Sequence, residues 1–227
     1  MRIAVVLVIA LFVTSAPALA EENASLTRAQ TQTFTVERVY DGGMAQIGSG
    51  VVVGRDGQTL VIATAGELAR GSGRLRILDA SRAAYYDVLG MRVLPDYDLA
   101  LVRVRAQSGF PVSPAAFAPA TAGEHVWIWG NDAAGSLASG TVRETRAHVP
   151  DAFGSARLTI VCNACADGDA GAGVFDERGR LLGIITKKWA HAPDALALFI
   201  EVEPSALIAQ EALVPMDESS LAVDSRP

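Results

Sequence analysis

Histidine is scarce in this 227-residue chain: three occur, His125, His148 and His191, and none lies between residues 21 and 124. Serine is missing from everything between Ser155 and Ser205. Cysteine occurs twice, as Cys162 and Cys165 in VCNACADG, too few to hold zinc alone and in no ligand-like spacing with the histidines. No metal and no cofactor is therefore expected. Positive charge is thin as well: the formal net charge is −6, which argues against nucleic-acid binding through clustered Lys and Arg. The adjacent pair Lys187–Lys188 reads as a solvated strand end. Long apolar runs are absent beyond the first 20 residues.

Those 20 residues read as an export signal. Arg2 gives a short positive start, AVVLVIALFV an apolar core, and Ala18-Leu19-Ala20 a small-x-small cleavage pattern. The apolar run is too short for a comfortable membrane span. Cleavage leaves 207 residues, and loss of the Arg2 charge takes −6 to −7. The expected setting is periplasmic or secreted, with no membrane span in the mature chain. In such a compartment a local Cys162–Cys165 bridge is the default, and a thiol–disulfide role for this CxxC is the alternative.

Residues 21–32 are polar and unpatterned and are expected to be flexible. From Thr33 the chain breaks into short β-type runs: 33–40, 46–53, 58–64, 74–79, 84–93, 98–104, 125–130, 138–145, 157–162, 172–176, 180–187 and 195–202. Turn signals such as Arg55-Asp56-Gly57, Pro95-Asp96-Tyr97 and Glu177-Arg178-Gly179 separate many of them. A dozen short strands without helix-length crossovers predict antiparallel barrels or a sandwich. One helix is expected near the C-terminus, over Pro204–Leu213 (PSALIAQEAL), before an acidic tail over 214–227 expected to be disordered. Trp127 and Trp129 share one face of their strand by period-two alternation, and core packing is their expected use.

Three segments carry a resemblance. GSGVVVGRDGQTLVIATAGEL (48–68) resembles the strand–hairpin–strand that opens trypsin-like serine proteases and ends in a turn bearing the catalytic histidine. YYDVLGMRVLPDYDLALVRV (85–104) resembles the segment that supplies the triad aspartate. GDAGAGVFDERGRLLGII (168–185) is similar to the family's Gly-Asp/Asn-Ser-Gly-Gly-Pro loop with the two strands beyond it. GEHVWIWGND (123–132) points further to the bacterial exported Deg-type branch. The resemblance implies an all-β fold of two six-stranded antiparallel barrels over 33–213, closed by a short C-terminal helix. That branch often carries a PDZ domain after the protease unit, and the expectation here is that it is absent.

Carried over residue by residue, the family's histidine falls on Gly66, its aspartate on Asp98 and its serine on Ala170. Triad catalysis needs a hydroxyl that attacks and an imidazole that takes its proton, while the aspartate orients that imidazole. Glycine and alanine supply neither group. Asp98 is then expected to serve the turn at the strand entry. The backbone amides of Gly168 and Ala170 match the family's oxyanion hole and need no side chain. The family's peptide-pairing strand falls on Ile185, Thr186, Lys187 and Lys188, where an extended peptide would add by strand pairing; an ordinary edge guarded by its lysines is the alternative. The resemblance therefore implies a pseudoprotease that binds an extended peptide or a partner protein. The competing expectation is an active serine-type hydrolase with a displaced catalytic site.

Overall fold

The computed structural model describes residues 16–79, 85–106, 112–130, 137–147, 158–162, 169–189, 196–201, 203 and 207–208. Thirteen strands are present among them. β1 (Thr33–Val39), β2 (Ala45–Asp56), β3 (Thr59–Ala65), β4 (Arg74–Leu78), β5 (Tyr85–Tyr86), β6 (Val88–Leu94) and β7 (Leu99–Arg105) form the first sheet, in the order β5-β4-β1-β2-β3-β7-β6. β8 (His125–Trp129), β9 (Leu137–Ala147), β10 (Leu158–Cys162), β11 (Gly173–Phe175), β12 (Leu181–Trp189) and β13 (Leu196–Ile200) close into a barrel, in the order β10-β13-β12-β11-β8-β9. All pairings between named strands are antiparallel.

The twelve expected runs all contain strand, and the one difference in count has a physical cause. The run expected over 84–93 is interrupted at Asp87, so that β5 pairs with β4 while β6 pairs with β7. These are the two outer strands of the first sheet, yet they are consecutive in the chain. A sheet whose opposite edges are joined through one residue must curl, and the first sheet is accordingly a nearly closed barrel.

Why the strand sequences are apolar on both faces follows from three buried clusters. Phe34, Val36, Val52, Leu60, Ile62, Ile77, Val102 and Val104 fill the first barrel. Val126, Ile128, Val142, Val174, Leu182, Ile185 and Phe199 fill the second. Their sequence neighbours Val51, Val53, Val61, Ala63, Leu99, Leu101, Phe175, Leu181, Ile184 and Ile200 form a third cluster to which both barrels contribute. Alternate side chains of one strand point to opposite faces. Runs such as LVIATA and LLGII thus bury one face inside a barrel and the other in the seam between barrels, as strands covered on both sides require.

Among the described residues two helices precede the C-terminal one. α1 (Ala16–Gln32) replaces the flexible segment expected over 21–32. Ser25, Ala29 and Gln32, spaced four and three residues apart, are its buried stripe, and Ala29 joins the seam cluster. The buried residues are small or polar, so the stripe has no hydrophobic signature in sequence. α2 (Gly66–Ala69) is a single turn leading out of β3. Of the expected C-terminal helix, Leu207 and Ile208 are described and helical; Leu207 packs in the seam. The tail over 214–227 lies outside the described residues.

The tryptophans correct an expectation. Along β8 it is Val126 and Ile128 that face the barrel interior, while Trp127 and Trp129 lie half-buried on the opposite face. Trp129 packs against the seam cluster, and the Trp127 ring meets His125 edge-on with centroids 5.0 Å apart. Period two placed both indoles on one face, but both faces of this strand are apolar enough that sequence could not say which is inner.

Candidate functional site

Asp98 stands at the entry to β7 in the left-handed backbone region (φ 51°), the single non-glycine residue so placed among those described. Its N–H closes a turn on the Pro95 carbonyl at 3.2 Å. Aspartate tolerates this conformation better than most side chains, which agrees with the turn role expected of it. The Asp98 residue is 4% exposed, and its carboxylate is paired with the Arg70 guanidinium, which reaches in from the end of α2.

Gly66 opens α2 directly against Asp98. The Gly66 amide donates to the Asp98 backbone carbonyl at 2.7 Å. A Cβ at position 66 would stand 3.0 Å from the Asp98 carbonyl carbon, its backbone oxygen and Oδ1. That is the lower limit for a real Cβ contact, so any side chain here forces a small shift. Positions 66 and 98 are thus brought together, but the group facing the carboxylate is a guanidinium from four residues on.

The segment carrying α2 is fixed by an unusual buried cation. Arg38 of β1 is 2% exposed and donates to four backbone carbonyls: Leu68 (Nε, 2.7 Å), Ala69 (Nη2, 2.8 Å), Gly71 (Nη1, 3.1 Å) and Gly73 (Nη1, 3.0 Å). Burial lowers the Arg38 pKa below the ordinary arginine value, with Tyr40 acting in the opposite direction. These guanidinium donors satisfy the carbonyls of the last turn of α2 and the loop after it, groups that a helix end leaves without intrahelical partners.

Ala170 approaches from the second barrel. Its carbonyl accepts the Ser49 amide of β2 at 2.8 Å, and its methyl packs against the first-barrel cluster that includes Ala65 and Leu68. Gly171, at φ 84°, has no room for a side chain: a Cβ there would fall 1.9 Å from the Ser49 carbonyl oxygen and 2.5 Å from Thr64 Oγ1. That oxygen already accepts the Thr64 hydroxyl at 2.6 Å. The Gly171 amide donates to the Ile185 carbonyl at 2.8 Å, and the Ala172 amide to the Asp169 carbonyl at 2.8 Å. A glycine at 171 is thus a condition of docking the 169–172 loop onto β2, which sets Ala170 on the first-barrel cluster that also holds Ala65 and Leu68, the residues flanking Gly66 in α2 and its entry.

Of the four strand-pairing candidates, Ile185 and Thr186 are buried, 1% and 3% exposed. The Ile185 carbonyl and amide are both engaged, by Gly171 and by Ala172. Lys187 and Lys188 pair with Leu198 and Ala197 of β13 after an irregularity in register at Thr186. β11 pairs with β12 no further than Ile184. Among the described residues, no strand covers the other side of Lys187–Trp189. The backbone option therefore narrows from four residues to the last part of β12. Gly168 and Cys165 lie outside the described residues, as do His148 and His191; Cys162 ends β10. His125, the described histidine, is at the surface with Nδ1 3.7 Å from Glu177 Oε1, on an element that faces neither Asp98 nor Ala170. Among the described residues no three His, Cys, Asp or Glu side chains gather as a metal site would need, and no helix is long and apolar enough to cross a membrane.

Two antiparallel barrels packed through a shared apolar seam, with the loop of one barrel docked beside the α2 turn of the other, define the two-barrel class of the trypsin-like fold. A family model described as a trypsin-like peptidase domain matches residues 48–184, more than half of the sequence, and the chain belongs to that family. No curated protein matches the sequence significantly. Among solved structures, the active form of the Rv3671c protease from M. tuberculosis is similar at 17% identity and a TM-score of 0.68, covering 82% of each chain. The HtrA-type protease AlgW with a decapeptide is similar at 13% identity and a TM-score of 0.68, over 85% of this chain and 67% of that one. AlgW with a tripeptide gives 14%, 0.70, 85% and 63%. At such identities the likeness speaks for the fold, and the chain spans about two thirds of AlgW's length.

Proposed function

We propose that this chain is an exported trypsin-like protease homologue that does not hydrolyse peptides and instead holds an extended peptide, or such a segment of a partner protein, against β12. The loss of catalysis is supported by one feature: the residues that the resemblance matches to base and nucleophile are Gly66 and Ala170, and Asp98, matched to the third member, is paired with Arg70. No atom at position 66 accepts a proton, and none at position 170 attacks a carbonyl. What a family member retains without its triad is a residual acceleration of order 10³–10⁴ over water, against enhancements of about 10⁶ and far more in working enzymes.

The binding half of the reading rests on backbone. Strand addition uses main-chain N–H and C=O groups and needs no catalytic side chain, and Lys187–Trp189 lack a second neighbour among the described residues. AlgW, of the same fold, was solved with a decapeptide and with a tripeptide. Ser49 and Thr64 are buried hydroxyls close to the 170 loop, but an active-site role would require an imidazole, and the described one is on the outer face of β8. The Cys162–Cys165 bridge is proposed as structural.

The test is incubation of the full chain with a mixed peptide library, read by mass spectrometry for both cleavage and retention. Intact peptides retained on the protein, with amide protection gained at Lys187–Trp189 in hydrogen exchange, are the expected result. Cleavage products that scale with protein concentration would replace this reading by an enzyme with a displaced site.

A further inference from the structure

A cavity lies away from the barrel junction, where α1 passes over the loop before β8 and the turn between β11 and β12. It is open to solvent on one side, offers about 430 Å³ and is lined by Arg28 and Thr31 of α1, Ser113 and Pro114 of the loop, and Gly179 and Arg180 of the turn, among others. That volume exceeds a single ion and falls within the range of small-molecule sites. We propose that this cavity binds an oxyanion carried on a small organic group, a carboxylate or a phosphate monoester, through the two guanidinium groups of Arg28 and Arg180.

The argument is one of charge and pre-organisation. The protein is acidic overall, with 25 Asp and Glu against 19 Lys and Arg, yet no Asp or Glu lines this cavity and two arginines do. Arg28 is exposed, and among the described residues no carboxylate pairs with it. Arg180 is held differently. Its Nε donates to Asp176 Oδ2 at 2.6 Å, and the other carboxylate oxygen of Asp176 accepts the amides of Arg178 (2.9 Å) and Arg180 (2.7 Å). Asp176 is 3% exposed. A buried carboxylate thus fixes the stem of the guanidinium by one edge, while its two terminal nitrogens keep their donors for a ligand. A planar fork with a fixed stem loses little freedom on meeting a planar carboxylate or a phosphate, which is why arginine suits both.

The walls are equally set. Gln32 Nε2 donates to the Ser113 carbonyl at 3.1 Å, tying α1 to the loop. The Leu181 amide donates to the Ala116 carbonyl at 2.7 Å, tying the loop to the strand after the turn. At Gly179 (φ 72°) a Cβ would come within 3.0 Å of the Ser25 carbonyl, so the turn abuts α1 through glycine. The three elements are in mutual contact, and one arginine comes from α1 and the other from the turn. None of positions 66, 98, 170 or 187–189 takes part, so this proposal is independent of the peptide-binding reading.

The experiment is an isothermal titration of the full chain at low salt with three probes: an N-acetylated tripeptide with a free C-terminal carboxylate, the same tripeptide amidated, and glycerol phosphate. Saturable binding of the free acid without the amide assigns a carboxylate; saturable binding of glycerol phosphate assigns a phosphate. Arg28→Gln and Arg180→Gln should each weaken the bound probe roughly tenfold or more, as loss of a hydrogen bond to a charged group does. Arg74→Gln, an exposed arginine of β4 outside the cavity, should leave affinity unchanged. Among the described residues the Arg28 side chain makes no hydrogen bond or ion pair, the Thr31 hydroxyl bonding only its backbone carbonyl, so its variant tests the site even if Arg180→Gln disturbs the turn. Absence of saturable binding by all three probes up to about 10 mM, a concentration that would reveal even millimolar affinity, overturns the proposal. So does an affinity unaltered by Arg28→Gln.

Discussion

At position 98 a buried carboxylate is paired with a cation. In a triad the aspartate faces an imidazole; here Oδ1 faces Arg70, and the residue beside it is a glycine whose amide is bound to the Asp98 carbonyl. Removing the cation leaves a buried charge without that partner, a larger effect than removing both. Arg70→Gln should therefore lower stability by about 1–3 kcal/mol, and Arg70→Gln with Asp98→Asn by less than the two single changes together, both read from urea unfolding. Equal and additive costs would mean that the pair does not hold Asp98. Nothing in the sequence announced Arg70: it lies 28 positions before Asp98, and an arginine at the end of a four-residue helix has no signature. Tyr86 offers a second residue-scale check. Burial first, and the nearby Asp79 second, push its hydroxyl up to about 12 from an ordinary 10.0. The folded chain then keeps a proton that the unfolded chain releases, so stability is full below pH 10 and falls as pH rises through the window from 10 to about 12. Tyr86→Phe should flatten that fall in alkaline unfolding measurements; an unchanged slope would place its cause elsewhere.

Strands were the most legible elements, because turn residues punctuate them and both of their faces are apolar. All twelve expected runs carry strand, and the two-barrel arrangement followed from motif order. What stayed hidden were features set by contacts between elements. The break at Asp87 is decided by which neighbour each half of the run finds, β4 or β7. α1 buries Ser25, Ala29 and Gln32, a stripe that hydrophobic periodicity does not detect. Of the peptide-pairing candidates on β12, Ile185 has its backbone consumed by the loop at 171–172, which only register could show. Gly171 is the element-scale test. Its left-handed backbone and the 1.9 Å approach to the Ser49 carbonyl predict that Gly171→Ala undocks the 169–172 loop from β2 at a cost of about 2–4 kcal/mol. Thermal unfolding that leaves Gly171→Ala equal to the unaltered chain would show that the loop is not held as described.

Over the whole molecule, the two barrels are bound through one cluster to which α1 and Leu207 also contribute. Phe175, 1% exposed, stands in that cluster with Val51, Leu101 and Leu181. Phe175→Ala should cost about 3–5 kcal/mol and lower the midpoint of both barrels together, visible as one transition by two spectroscopic probes; two separated transitions would show that the seam does not couple them. Near that seam Gly66 lies against Asp98, and Ala170 packs on the first-barrel cluster; the proposed reading is that this junction does not hydrolyse peptides. Labelling of the full chain with a fluorophosphonate, followed by peptide mapping in a mass spectrometer, tests that claim most directly. The account predicts no modified serine at any position; reproducible labelling of one serine, abolished by prior denaturation, would contradict it and place an active nucleophile elsewhere in the fold.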